Sequence, residues 1–512
     1  MTLKHGYFYD QSYTYGAYPE SSPERLAFVS LLSSHRPPNL AQPFRCLELG
    51  CGQGFGLCLQ AASYPHAQFV GLDFKAEHIA HGRSLAAGAG LTNVQFLLAD
   101  FLTLGQNLPP GWGEFDIVIA HGVLGWVSPS TGARLLAAAA EALRPAGLFY
   151  VSYNSYPGWL PAVPFQSCVK TFQQRMGDGK PALDAALGLF QQMQSAGALL
   201  FQEQPALAGR LDGIGTQDPA YLLHEYNHSE WQPQYVDQVI RQAAELDLHY
   251  VGSATLPEGF QGLLPDAFRQ LVQQQSDPDL RELVRDLLTN QSFRRDVYAK
   301  GRAPLWSGDA TQMIRELEVI RMIPQLPEDT ADLFCFSISC GEVRGNPDWF
   351  KTCLQQLQDG PRSVADLEEQ LRQAGQATLL PELLQNLALL LHKNLVALHP
   401  RAGDPSAAQR FNRHVAARVA AGGPYRCLAS PASGNLISLN DGQLMLLHAS
   451  LQGCHGEALE PALRQNLQQL GRQLQKDKRP LEGDALDQEI QRLSRSFESE
   501  TLPLLRRLQA VA

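Results

Sequence analysis

FRCLELGCGQGFGLCLQAA, residues 44–62, decides how the N-terminal part of the chain is read. An apolar run from Phe44 to Leu49 ends in Gly50-Cys51-Gly52-Gln53-Gly54 and passes into a helix-like segment. Strand, glycine turn and helix in that order bring backbone amides close to a bound nucleoside. The nicotinamide fingerprint G-x-G-x-x-G is absent, because Phe55 and Leu57 stand where its last glycine would fall. What remains is E-L-G-x-G-x-G, with Glu48 just before the turn.

Working outward, AQFVGLDF (67–74), NVQFLLADF (93–101), FDIVIAHG (115–122) and AGLFYVSYN (146–154) are β-rich apolar runs separated by helix-like segments. Such alternation predicts a parallel, doubly wound sheet with helices on both faces and a ligand beyond the carboxyl ends of its strands. Asp73, followed by Phe74, ends the second run, where a carboxylate can accept both ribose hydroxyls. Asp100 and Phe101 end the third, placed for an adenine amino group and ring face. Taken singly, Asp73 or Asp100 is equally a turn-forming residue; three acids at successive strand ends behind a glycine turn favour a binding role.

This pattern resembles class I S-adenosylmethionine-dependent methyltransferases. FDIVIAHGVLGWVSP (115–129) and FYVSYNSYPGW (149–159) narrow the resemblance to a bacterial group with a methyltransferase regulatory domain, which includes rickettsial protein lysine methyltransferases. DPAYLLHEYNHSEWQPQYVDQVIRQAAELDLHYVGSA (218–254) and VRDLLTNQSFRRDVY (284–298) are similar to parts of that domain. The sequence departs from the group after Trp159, where LPAVPFQSCVK lacks a charged Arg-Asp-like pair, and at HEYNH, where the group has HEYL.

The resemblance implies S-adenosylmethionine as cofactor, S-adenosylhomocysteine as product and no required metal. It also implies cofactor contacts from Glu48, Gly50, Gly52, Gly54, Asp73, Phe74, Asp100, Phe101 and His121. A lysine acceptor must lose its proton before it can attack, since its free pKa is about 10.4. His121, Tyr153, Asn154 and Tyr226 are the catalytic candidates, and Trp126, Tyr156, Trp159, His224 and Glu225 the substrate candidates. Tyr9, Tyr13, Tyr15 and Tyr18 form an N-terminal segment that could fold over the cofactor, although core packing is the alternative for each aromatic. The expected acceptor is a protein lysine, with a small molecule as the alternative.

HEYNH (224–228) also matches the H-E-x-x-H zinc-hydrolase pattern, with Glu225 as general base. That pattern needs a long helix and a third ligand. Asn227, Ser229 and Pro233 argue that the helix ends near residue 230, and nothing marks Glu245 as a ligand. A loop over the cleft, carrying His224, Glu225 and Tyr226 as lid or substrate contacts, is the better reading.

The expected organisation is a core of 1–159 plus about 216–260, a helical insertion at 160–215 for dimerisation or substrate docking, and a helical middle or regulatory unit at 261–330. A C-terminal accessory domain follows at 331–512. There WFKTCLQQLQDGPRSVADLEEQLRQ (349–373) and GQLMLLHASLQGCHGEALEPALRQ (442–465) form a faint winged-helix-like repeat, with LVALHP as a wing strand. The charged tail from 476 on is expected at the surface. A homodimer is possible.

Composition bounds the rest. A formal net charge of −10 among 512 residues argues against nucleic acid, whose phosphates call for a lysine and arginine surplus. The N-terminus has no apolar stretch of signal-peptide kind and no stretch reads as a membrane span. Nine cysteines without a C-x-x-C pair suggest reduced thiols and a cytoplasmic location.

Overall fold

The computed structural model describes residues 15–104, 111–177, 179–214, 226, 230–400, 403–476 and 479–512, and two-residue strands at 3–4 and 7–8. At its centre is a seven-stranded sheet: β1 (Arg45–Leu49), β2 (Gln68–Asp73), β3 (Val94–Leu98), β4 (Phe115–Ala120), β5 (Leu143–Asn154), β6 (Leu248–Ser253) and β7 (Phe293–Lys300). Their order is 3-2-1-4-5-7-6. Strands β1 to β5 pair in parallel, while β7 runs antiparallel to both β5 and β6. Every residue of β4 is buried, as a central strand covered on both faces requires, whereas β3 at the edge is only partly so.

Side chains alternate across the sheet with period two. Leu148 and Tyr150 of β5 join one apolar cluster; Phe149, Val151 and Tyr153 join the other. Against the first face lie α1 (Pro23–Leu32) and α2 (Phe55–Ser63), with α3 (Ala76–Ala89) following β2. The second face is covered by α4 (Pro129–Ala142) and α5 (Val236–Ala244). The apolar stripe of α5, Val236, Val239, Ile240 and Ala243, is buried as its spacing predicts.

Two expectations change. Residues 261–330 do not form a separate helical unit, because Phe293–Lys300 enters the sheet between β5 and β6. Its sequence, FRRDVYAK, hides this: Arg294 and Asp296 are buried, and the Arg294 guanidinium meets Asp296, Asp286 and Glu282 at 2.9, 2.6 and 3.0 Å. Charges that satisfy one another can be buried where a lone one cannot. Nor is the tail all surface: Phe497, Leu505, Leu508 and Ala510 are buried. Asn412 Nδ2 donates to the Ala510 carbonyl and Ser430 Oγ to that of Leu508.

Residues 160–177 and 179–214 are mostly helical and close their own small core around Trp159, Phe165, Phe190 and Tyr226. The C-terminal part contains two similar helix–turn–helix stretches, Pro347–Gln356 with Val364–Gln373 and Asp441–Leu451 with Leu459–Gln469. Val396–His399, inside LVALHP, pairs antiparallel with Glu318–Arg321. One apolar cluster runs without a break from the first face of the sheet into this C-terminal region. Among the described residues no helix is long and apolar enough to cross a membrane.

Candidate active site

The pocket opens at the carboxyl ends of β1, β2, β3 and β4 and is built on the turn Gly50–Gly54. All three glycines have positive φ (+77°, +51° and +73°), a region L side chains avoid. Space enforces the choice as well. A Cβ on Gly50 would lie 2.7 Å from Val123 Cγ2, and one on Gly54 would lie 2.5 Å from the Phe96 ring. The turn is tied down by amide donors: Gly50 and Cys51 N–H to the Leu72 carbonyl, Gly54 N–H to that of Cys51, and Gly52 N–H to Asp73 Oδ2 at 2.9 Å.

Asp73 both forms its turn and stands on the pocket wall. Its Oδ1 accepts the Lys75 amide at 2.8 Å, as a turn-forming aspartate does, and the carboxylate also lines the pocket. Phe74, Asp100, Phe101, Val123 and Val127 line the same lobe. A second lobe on the other side of the turn is lined by Glu48, Gly54 and Tyr18; Gly50, Gly52 and His121 belong to both. Burial, reinforced by the negative charge of Asp73, pushes the Glu48 carboxyl up to about 8.

His121 follows β4. Its Nδ1 is 2.9 Å from the hydroxyl of Tyr150, and Tyr18 stacks on its ring with centroids 3.5 Å apart. Burial, with a smaller push from the Arg295 charge, lowers its pKa to about 3. The imidazole therefore stays neutral and is a hydrogen-bonding partner, too weak a base to hold the proton of an ammonium. Trp126 also lines the first lobe.

The pocket thus brings together every expected cofactor residue and Trp126. Among the described residues it does not bring in the other candidates. Tyr153 is wholly buried on the opposite face of the sheet, its hydroxyl donating to Asp296 Oδ2 at 2.5 Å. Period-two alternation gives the pocket-side position to Tyr150 instead. Asn154 is buried beyond the pocket walls, its carbonyl accepting the Gln234 amide. Tyr156 packs on Tyr235, with ring centroids 5.0 Å apart. Trp159 and Tyr226 are core of the helical insertion, and the Arg210 guanidinium lies 4.1 Å over the Trp159 ring. His224, Glu225 and His228, and with them the zinc reading of HEYNH, lie outside the described residues, as do Tyr9 and Tyr13.

Sequence reasoning missed His78. It lies on the helix after β2, with Nδ1 3.2 Å from Asp73 Oδ1, and its buried Nε2 has no partner among the described residues. Its place, in the first turn of α3 beyond the acid-bearing strand end, was the available signal.

Comparison with known proteins agrees with this geometry. A family profile described as "Methyltransferase domain" matches residues 42–196, and one described as "Predicted methyltransferase regulatory domain" matches 218–300. The uncharacterized protein sll1526 of Synechocystis sp. is 30% identical over 99% of this chain and 99% of its own. A stretch of 112 residues, 22% of this chain, is 36% identical to trans-aconitate 2-methyltransferase of Methylobacterium nodulans, over 39% of that protein. Among solved structures, PKMT2 from Rickettsia typhi in complex with AdoHcy has a TM-score of 0.69 at 20% identity, covering 98% of this chain and 99% of that one.

Fold and site are those of an S-adenosylmethionine-dependent methyltransferase. The chain belongs to the family of methyltransferases that carry this regulatory domain. The stretch matched as regulatory supplies β6 and β7, so it completes the catalytic sheet.

Proposed function

We propose that this methyltransferase acts on lysine side chains of a protein. When bound, S-adenosylmethionine supplies an electrophilic methyl group on a sulfonium. The residues present fit it: the glycine turn leaves room for a close approach, Asp73 faces the lobe where ribose hydroxyls belong, and Phe74 and Phe101 offer flat apolar walls for a purine. Glu48 is placed for the ammonium of the methionine end, and the neutral His121, held by Tyr18 and Tyr150, walls the reacting centre.

Trp126, which also lines the first lobe, is proposed to face the acceptor, and it carries no charge. Desolvation against such a wall favours a neutral amine over an ammonium, which gives the nucleophile its lone pair. Tyr18, stacked on His121, walls the second lobe with an aromatic ring.

The protein-lysine reading is supported by one observation above others: the whole-length likeness in fold to PKMT2, accessory regions included. A polypeptide acceptor gives those regions a use that a small acid would not. Incubation with radiolabelled S-adenosylmethionine and a cell lysate tests it, followed by acid hydrolysis of labelled proteins. Label recovered as methyl-lysine is the expected result; label confined to small-molecule extracts contradicts it. Dimerisation through residues 160–214, a further proposal, is checked by sedimentation of the full chain.

A further inference from the structure

The C-terminal region reaches the cofactor turn through two side chains. Gln53 lies between the positive-φ glycines 52 and 54 and lines the second lobe. Its carbonyl is 2.6 Å from His81 Nδ1, and His81 Nε2 is 2.8 Å from the hydroxyl of Tyr425. Tyr425 stands in the loop between the helix Ser406–Ala420 and the strand Cys427–Ser430, far along the chain from the site it touches.

The tautomer follows from chemistry. A carbonyl oxygen only accepts, so Nδ1 of His81 carries the proton and donates. In the neutral ring Nε2 then holds the lone pair and accepts the Tyr425 O–H. Burial lowers the His81 pKa, in keeping with that neutral form. The peptide between Gln53 and Gly54 is planar, so a carbonyl drawn toward His81 turns the Gly54 N–H the other way. There it meets the Cys51 carbonyl at 3.0 Å, closing the turn.

Tyr425 is itself fixed. Its ring stacks on Phe55, the first residue of α2, with centroids 4.8 Å apart, and meets Tyr15 edge-on at 5.7 Å. Tyr15 in turn meets His81 edge-on at 5.1 Å. Residues 15–18 run across the start of α2, where a Cβ on Gly56 would come 3.1 Å from the Gly16 carbonyl.

We propose that Tyr425 is a positioning residue for cofactor binding, acting through His81 on the Gln53 carbonyl. The C-terminal region is thereby part of the cofactor site, whatever the methyl acceptor proves to be. Removing the hydroxyl lets the imidazole turn and leaves the Gln53–Gly54 peptide without its anchor.

Calorimetric titration of the full chain with S-adenosylhomocysteine tests the relay. Tyr425→Phe keeps the ring contacts and loses the donor; it is expected to raise the dissociation constant roughly two- to tenfold, the worth of one hydrogen bond. His81→Phe is expected to do at least as much, and adding Tyr425→Phe to it to do nothing further. His81→Asn, whose amide can still donate to the Gln53 carbonyl, is expected to restore binding and make it indifferent to Tyr425→Phe. A merely structural Tyr425 lowers the melting temperature of Tyr425→Phe and leaves the dissociation constant where it was. That result overturns the proposal, and so does a Tyr425→Phe penalty that persists in full when His81 is already Phe.

Discussion

At Glu48 the fold holds a carboxyl with a pKa of about 8 beside Asp73, inside the pocket. Such a group is mostly protonated at neutral pH, and the ammonium of a bound ligand favours its ionised form. The sign follows: binding expels the proton, so affinity rises with pH up to about 8 and levels off above it. Calorimetry with S-adenosylhomocysteine between pH 6 and 9 is expected to show a rise of up to about tenfold per unit below 8, with proton release at pH 7. An affinity flat across that range contradicts the role given to Glu48. Single residues differ in how far local sequence reveals their place. Glu48, Asp73 and Asp100 were legible because a strand end beside a glycine turn is a local pattern. Tyr153 was misplaced because parity along β5 decides it, and the ring that reaches His121 belongs to Tyr150, three positions earlier.

Among the elements, the first five strands and the helices that follow them could be read from apolar runs broken by helix-like segments. Strand β7 could not, since its buried Arg294 and Asp296 look like surface residues until Asp286 and Glu282 are brought beside them by the fold. The insertion shows the opposite failure: Trp159 and Tyr226 looked like substrate contacts, yet they pack with Phe165 and Trp231 in a core of their own. Trp159→Ala is therefore expected to cost stability of about 3–5 kcal/mol, as loss of a buried tryptophan does, while leaving S-adenosylhomocysteine affinity within about twofold. Denaturant unfolding and calorimetry on the same preparation check both halves. Unchanged stability with lost methyl transfer would return Trp159 to the acceptor site.

For the whole molecule, the catalytic sheet and the C-terminal region share one apolar core and several polar ties, which periodicity along the chain cannot disclose. Tyr64 donates to the Gly434 carbonyl at 2.9 Å and Arg25 to that of Leu391 at 2.8 Å. Glu24 lies at this junction with Oε2 unpartnered among the described residues, and burial pushes its pKa up to about 8. A folded-state pKa above the unfolded value means stability that is complete below about pH 4.5 and falls as pH rises through about 8. Glu24→Gln carries no such charge, so its melting temperature is expected to match the parent near pH 5 and exceed it increasingly up to pH 8 in thermal scans. On the proposed reading, the turn Gly50–Gly54 and Asp73 together hold the cofactor. Titration of Asp73→Ala with S-adenosylhomocysteine measures this most directly, because the carboxylate both fixes the Gly52 amide and lines the lobe proposed for the ligand's sugar. The account predicts a dissociation constant raised at least about tenfold, the worth of a charge-assisted hydrogen bond. Binding as tight as that of the parent chain would contradict it.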